Sequence, residues 1–261
     1  MFDRAASEYG RVGGDLFSHF GERVARLAGV SSGQAMLDVG CGTGALLAAG
    51  SDLMDEAGSV IGVDISAAMV RLARQHLADR GLPGLVALAD AQGLPFPGGT
   101  FDVVASNFAL TYFPDPTAAL TELRRVLRPG GRVALAVSDG WWFQDDPSWT
   151  WHENLLTSLG VVLDERRFSS PETVAHLLRT CEMVVDVAVP ETFEMEWTGF
   201  HEWWAAGWTH GYRAVLEALG ASQLDHYRTV CAQHLTASPI RGELQVVLAS
   251  GHRAGRPSPP G

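Results

Sequence analysis

Residues 36–47 read MLDVGCGTGALL: a short apolar run carrying Asp38, then glycines at 40, 42 and 44, then a second apolar run. A strand that stops at such a turn and continues as a helix has few homes, because alternate glycines let the backbone bend tightly and let a ligand approach it closely. The segments that follow keep the same alternation. AMLDV (35–39), SVIGVD (59–64), LVALAD (85–90), FDVVASN (101–107) and RVALAVS (132–138) predict strands of nearly continuous apolar character. ALLAAGSDLM, directly after the glycines, predicts a helix. Ser66 is placed to cap the next one, on which Met69, Leu72, Ala73, His76 and Leu77 share a face. Asp115 and Pro116 open a third, with Leu120, Leu123, Val126 and Leu127 on one stripe until RPGG stops it. Apolar strands alternating with amphipathic helices imply an α/β fold, a doubly wound parallel sheet covered on both faces.

Beyond Asp139 the texture changes. All eight tryptophans (Trp141, Trp142, Trp149, Trp151, Trp197, Trp203, Trp204 and Trp208) fall on two segments. Between them SSPETVAHLLRTC (169–181) predicts a capped helix and EMVVDVAV (182–189) a strand, and GELQVVLASG (242–251) is the last strand, so the sheet resumes there. The Trp-rich pieces are expected to be helical lid insertions, about 140–162 and 197–236, on a single domain spanning 1–251. Residues 252–261 are too rich in Pro and Gly to order and are expected to form a tail.

Gly40, Gly42 and Ala45 fit the pattern of a dinucleotide-binding turn. Asp38 argues against that ligand, since a carboxylate two residues before Gly40 repels a pyrophosphate at close range. A cation is favoured instead. S-adenosylmethionine carries a sulfonium and an ammonium and no phosphate. Asp64 ends the second strand, placed to accept both ribose hydroxyls; Asp90, followed by Ala91, ends the third, where a carboxylate accepts the adenine amino group; Asn107 ends the fourth and lines the methionine half. Polar side chains at successive strand ends converge on the carboxyl edge of the sheet, where ligands bind in this architecture.

LDVGCGTG, VIGVDIS, LADAQGLPFPGGTFDVVASNFAL, YFPDP and ELRRVLRPGGRVALA together resemble the class I S-adenosylmethionine-dependent methyltransferases, in the branch similar to the ubiquinone and menaquinone C-methyltransferases. The resemblance is dense from Met36 to Val137. It implies a Rossmann-like sheet of seven strands whose last, GELQVVLAS, runs antiparallel, with S-adenosylmethionine as donor and S-adenosylhomocysteine as product. It assigns Gly40, Gly42 and Gly44 to the methionine end, Asp64 and Ile65 to ribose and adenine, Asp90 and Ala91 to the adenine edge, and Asn107 to the strand-four contact. Met69 joins this cofactor set, and Tyr9 and Phe17 belong to an N-terminal helix expected to close over the methionine end. Many relatives carry a His pair after the fourth strand. Here the matching FALTYF has Thr111 and Tyr112 instead, with Tyr112 a candidate for the acceptor side.

The acceptor is expected to be a small, largely apolar metabolite. Trp204 and Trp208 are the candidate substrate contacts, although the tryptophans serve equally well as the insertions' own small core. His152, His201 and His210 lie on the insertions and are the candidate bases; His210 and His152 lead, His210 because WWAAGWTHGYRAVLEALG is similar to lid helices of small-molecule methyltransferases. The alternative activity is a cyclase or pericyclase of the same fold that binds the cofactor without transferring methyl. With a formal net charge of −11, the surface repels nucleic acid and anionic lipid. All 19 basic residues are Arg, so a Schiff base or Walker lysine is excluded. Cys41, Cys181 and Cys231 are far apart and suggest neither a disulfide framework nor a metal site. With no apolar run of about 20 residues and no signal core at the N-terminus, a cytoplasmic monomer or homodimer is expected.

Overall fold

The structure is a computed structural model of the 261-residue chain and describes residues 15–54, 58–138, 147–161, 168, 170–209 and 212–255. In chain order the elements are α1 (Leu16–Leu27), β1 (Ala35–Val39), α2 (Ala45–Asp52), β2 (Ser59–Asp64), α3 (Ala67–Asp79), β3 (Leu85–Leu88), β4 (Phe101–Asn107), α4 (Pro116–Val126) and β5 (Leu127–Val137). Then come α5 (Thr150–Ser158), α6 (Pro171–Thr180), β6 (Met183–Trp197), α7 (Phe200–Thr209), α8 (Arg213–Ala218), α9 (Ala221–His234) and β7 (Ile240–Arg253). The chain divides into two compact units. A sheet unit is drawn from Phe17–Ser138, Arg167–Glu191 and Val246–Gly261, and an aromatic unit from Met1–Leu16, Asp139–Arg166 and Thr192–Gln245.

The seven-stranded sheet has the order β3-β2-β1-β4-β5-β7-β6. β1 to β5 pair in parallel, and β7 runs antiparallel to β5 with Ala134 opposite Ser250. The direction of winding reverses between β1 and β4, so the loops leaving those two strands part to opposite faces and open a crevice at their carboxyl ends. The strands are apolar throughout because both faces are covered: Met36, Leu37, Val39, Val103, Val104 and Ala105 are all fully buried. The caps are those the sequence predicts. Ser66 Oγ accepts from Met69 N at 3.2 Å, Asp115 Oδ1 from Ala118 N at 2.9 Å ahead of Pro116, and Ser170 Oγ from Thr173 N at 3.2 Å.

Four strands differ from the sequence reading. β3 stops at Leu88, so Asp90 lies in the loop beyond it rather than at the strand's end. β5 begins at Leu127, just before RPGG, and runs through it rather than starting at 132, with a register shift against Phe101 and Val103. β6 continues past 189 to Trp197 through Pro190. The proline masks the continuation in the sequence, yet it sits on the sheet's edge strand, where a missing N–H is tolerated. Beyond it exposed Glu194 and Glu196 alternate with partly buried Phe193 and buried Met195 and Trp197, the period of a half-buried strand. β7 reaches Arg253, so residues 252 and 253, assigned by the sequence to a tail, are ordered strand. The Arg253 guanidinium approaches the carbonyls of Arg124, Arg125 and Leu127 at 3.3, 3.2 and 2.6 Å. It closes the C-terminal end of α4, where a cation is favoured.

The aromatic unit has its own core. Trp149, Trp197, Trp203 and Tyr227 are buried, together with Leu156 and Leu216. Trp149 stacks on Trp203 at 6.2 Å between ring centroids, and Trp151 stacks on His234 at 4.2 Å. Among the described tryptophans, Trp151, Trp204 and Trp208 stay partly exposed.

Candidate active site

The glycine loop is built from its neighbours outward. Gly40, Gly42 and Gly44 have φ of 72°, 53° and 90°, left-handed conformations that other residues adopt only at a cost. Val63 O on β2 accepts from both Gly40 N and Cys41 N at 2.8 and 3.0 Å, and Gly44 N closes a turn on Cys41 O at 2.9 Å. Two side chains hold the rest. Asp64 Oδ2 accepts from Gly42 N at 2.9 Å while its Oδ1 accepts from Ser66 N at 2.8 Å, and His76 Nδ1 lies 3.0 Å from Thr43 O. The glycines are not equivalent. A Cβ on Gly40 would lie 2.3 Å from the Ala109 Cβ, whereas a Cβ on Gly42 meets nothing within 4 Å. Gly40 is a packing position; at Gly42 the backbone faces open space.

Asp38 lies on β1, two residues before Gly40, opposite Gly62 on β2 and Ala105 on β4, and is fully buried. Neither of its carboxylate oxygens has a hydrogen-bond partner. Burial, and secondly the neighbouring Asp64 carboxylate, push its pKa well above the usual carboxylate range. The Cys41 thiol is pushed up by its burial and by the same two carboxylates. On β4, Asn107 Nδ2 donates to Phe17 O at 3.0 Å, which ties α1 to the strand end, while Asn107 Oδ1 is buried without a partner. Phe108 follows with φ of 60° and meets the rings of Phe17 and Phe20 edge-on at 5.8 and 5.2 Å. Two strands meeting at the crevice thus each leave a buried acceptor unmet. Buried acceptors without donors are rare and point to a missing partner. The arrangement fits a ligand with a cationic, hydrogen-bond-donating end, as S-adenosylmethionine has, and is unfavourable to a pyrophosphate.

The remaining candidate residues of the sheet unit differ in exposure. Ile65, 68% exposed, and Tyr112, 44% exposed, present apolar surface. Asp90 is exposed, its Oδ1 accepting from Gln92 N at 2.9 Å, and Ala91 is buried beside it. Met69 is 1% exposed, a side chain of the core. Tyr9 lies outside the described residues. His76, which the sequence places only on the shared face of its helix, meets the loop at Thr43 O, and Phe108 takes a positive φ that has no signature in a residue type that rarely adopts it.

In the aromatic unit, His210 lies outside the described residues, as do Trp141 and Trp142. His152 is 3% exposed and forms a triangle with two tyrosines: its Nε2 lies 2.6 Å from Tyr227 OH and 3.1 Å from Tyr212 OH, and the hydroxyls are 2.6 Å apart. Burial lowers its pKa to about 4 and raises those of both tyrosines. His152 is therefore neutral at pH 7 and joined to partners, linking α5 and α9 through the residue that precedes α8. Because the unfolded chain binds this proton near pH 6.5 and the folded chain only near pH 4, acidification through that window favours unfolding. We expect stability to fall by up to about 1.4 kcal/mol per pH unit there. Urea denaturation at pH 7 and pH 5 checks this, with His152→Asn expected to flatten the difference. Tyr227→Phe removes two of the triangle's sides and is expected to destabilise by about 1–3 kcal/mol.

Among the described residues, no group of three His, Cys, Asp or Glu side chains is placed to hold a metal ion, and no helix is long and apolar enough to cross a membrane. A family model described as a methyltransferase domain matches residues 37–135. The nocamycin O-methyltransferase of Saccharothrix syringae is 28% identical across 100% of this chain and 99% of its own length. The aklanonic acid methyltransferase of Streptomyces sp. (strain C5) is 34% identical over 51% of this chain, a match that spans 61% of that enzyme. Among solved structures, the YcgJ protein of Bacillus subtilis superposes with a TM-score of 0.61 at 22% identity, covering 90% of this chain and 99% of that one. That last likeness is one of fold.

Proposed function

We propose that the chain is a class I S-adenosylmethionine-dependent methyltransferase that methylates an oxygen or a carbon of a small, largely apolar metabolite in a biosynthetic route. The buried, unpartnered Asp38 beside the glycine loop carries the donor half of this reading. Similarity over the whole chain to an enzyme named as an O-methyltransferase of nocamycin supports the acceptor half, and favours an oxygen.

The bound donor supplies a sulfonium methyl that is displaced in line, so the protein's work is chiefly positioning and exclusion of water. In this proposal Asp38 and Asn107 Oδ1 accept from the cationic end of the donor, with Gly40, Gly42, Gly44 and Phe17 around it and Tyr9 closing it. Asp64 and Ile65 serve the ribose and adenine, Asp90 and Ala91 the adenine edge, and Met69 shapes the pocket from behind. Tyr112, Trp204 and Trp208 contact the acceptor. His210 takes the acceptor's proton where the attacked group is not already ionised; a base in that role contributes about 10²–10⁴ in rate. His152, buried and joined to two tyrosines, then serves the aromatic unit rather than the chemistry. We place the enzyme in the cytoplasm, as a single domain with helical insertions, a monomer or homodimer that needs no nucleic acid or membrane.

Turnover of a labelled methyl donor against phenols, quinone precursors and polyketides tests the reading, with a mass gain of one CH₂ in the product. Supplying the true precursor with S-adenosylhomocysteine instead separates a methyltransferase, which stops, from a cyclase that uses the cofactor as scaffold. Product formed without the methyl donor and without the added CH₂ would overturn the proposal.

Trp204 and Trp203 test the acceptor side. Trp204 is partly exposed, with the Arg228 guanidinium 5.6 Å from its ring centroid, while Trp203 is 4% exposed in the core. Trp204→Ala is expected to raise the acceptor KM about tenfold, since an indole buries roughly 150–250 Å² on contact, and to leave donor affinity unchanged. Trp203→Ala is expected to lower stability by about 3–5 kcal/mol instead. Steady-state kinetics and thermal melts of the two variants read the difference.

A further inference from the structure

Asp38 and Asp64 stand side by side at the carboxyl ends of β1 and β2, but the chain treats them differently. Asp64 receives two backbone N–H groups, from Gly42 and Ser66; Asp38 receives none. A carboxylate that accepts two charge-assisted hydrogen bonds keeps its charge, and its buried neighbour without donors then has both desolvation and repulsion against ionisation. The other groups near this pair offer no relief. Cys41 on the loop is a thiol held protonated first by its burial and then by the nearby carboxylates, the Ser106 hydroxyl on β4 donates to Val39 O at 2.8 Å, and His76 on α3 is bonded to Thr43 O.

We propose that Asp38 stores a proton while the donor site is free and releases it when a cationic donor binds, so that methyl transfer is coupled to a cycle of protonation at this one buried carboxyl. The inference rests on the donor reading given above. The cycle balances: the neutral carboxyl loses one proton as S-adenosylmethionine, with its sulfonium and ammonium, enters and becomes the counter-charge. Transfer of the methyl leaves a neutral thioether in S-adenosylhomocysteine. The carboxylate has then lost half of the cationic charge it faced, and it recovers a proton from solvent as the product leaves. The site thereby distinguishes donor from spent product by a unit of charge, and sheds the product once that charge is gone.

Calorimetric titration of the full chain at pH 7, in phosphate and in Tris, reads the protons exchanged on binding. The expected result is release approaching one proton per S-adenosylmethionine bound, and distinctly less for S-adenosylhomocysteine. Donor affinity is expected to strengthen by up to about tenfold for each pH unit of increase, up to the point where free Asp38 titrates. Asp38→Asn, an isostere of the protonated form, should bind S-adenosylmethionine no better than S-adenosylhomocysteine, release no proton, and melt at or above the wild-type temperature without ligand. Donor binding with no dependence on buffer, or release that persists in Asp38→Asn, overturns the proton cycle and leaves the donor assignment standing. Failure of wild-type protein to bind S-adenosylmethionine overturns both.

Discussion

Gly40→Ala is expected to destabilise the protein by about 2–5 kcal/mol, enough to unfold a marginally stable domain, whereas Gly42→Ala stays folded and loses its donor. Both residues have positive φ, so both substitutions carry the left-handed penalty of about 1–2 kcal/mol. They differ in what the new methyl meets. At Gly40 it lies 2.3 Å from the Ala109 Cβ, on the segment that follows β4, and loop or segment has to move. At Gly42 it points into open space. In the donor reading that space holds the ligand, and a methyl there is expected to weaken S-adenosylmethionine by at least about tenfold, a loss of 1.4 kcal/mol or more. Urea denaturation and donor titration of the two variants make the test, and Gly42→Ala with wild-type donor affinity removes the glycine loop from the donor site.

Asp64→Ala is expected to lower donor affinity about a hundredfold and stability by about 2–3 kcal/mol together, because one carboxylate serves both. Its two oxygens hold Gly42 N and Ser66 N at 2.9 and 2.8 Å, so the substitution orphans two backbone donors and frees the loop as well as removing the expected ribose acceptor. Asp90→Ala is the control. Asp90 is exposed and its carboxylate accepts locally from Gln92 N, so stability should change by less than about 0.5 kcal/mol. Equal losses of stability in the two variants would show that Asp64 does not organise the loop.

The sheet unit was legible in the sequence because its signals are local. Ser66, Asp115 with Pro116, and Ser170 each announce a helix within four residues of where it starts, and the apolar strands need no partner to be recognised. The candidate donor residues rest on signals just as local, since each lies at or close to the end of its own strand. What escaped depends on contacts distant in the chain. That Asp64 binds the glycine loop, that Asn107 binds the Phe17 carbonyl and that His152 meets Tyr212 and Tyr227 are bonds between residues 22, 90, 60 and 75 positions apart. Nothing in the spacing of one segment encodes them. Tryptophan count likewise marked the aromatic unit without dividing core indoles such as Trp197 from partly exposed ones such as Trp208, a division set by which helix face finds a neighbour.

The place of β7 in the strand order has a consequence for how the chain is made. β6 is the last strand in the row and is bonded to β7 alone, yet it leaves the ribosome well before that partner exists. For the time it takes to translate α7, α8 and α9, a fifteen-residue strand has no place in the sheet, and β5 has a bare edge. Messages that stop short of Ile240 therefore forfeit two strands rather than one, along with the Arg253 cap on α4, and leave behind a five-stranded remnant whose open edge is free to pair with other nascent chains.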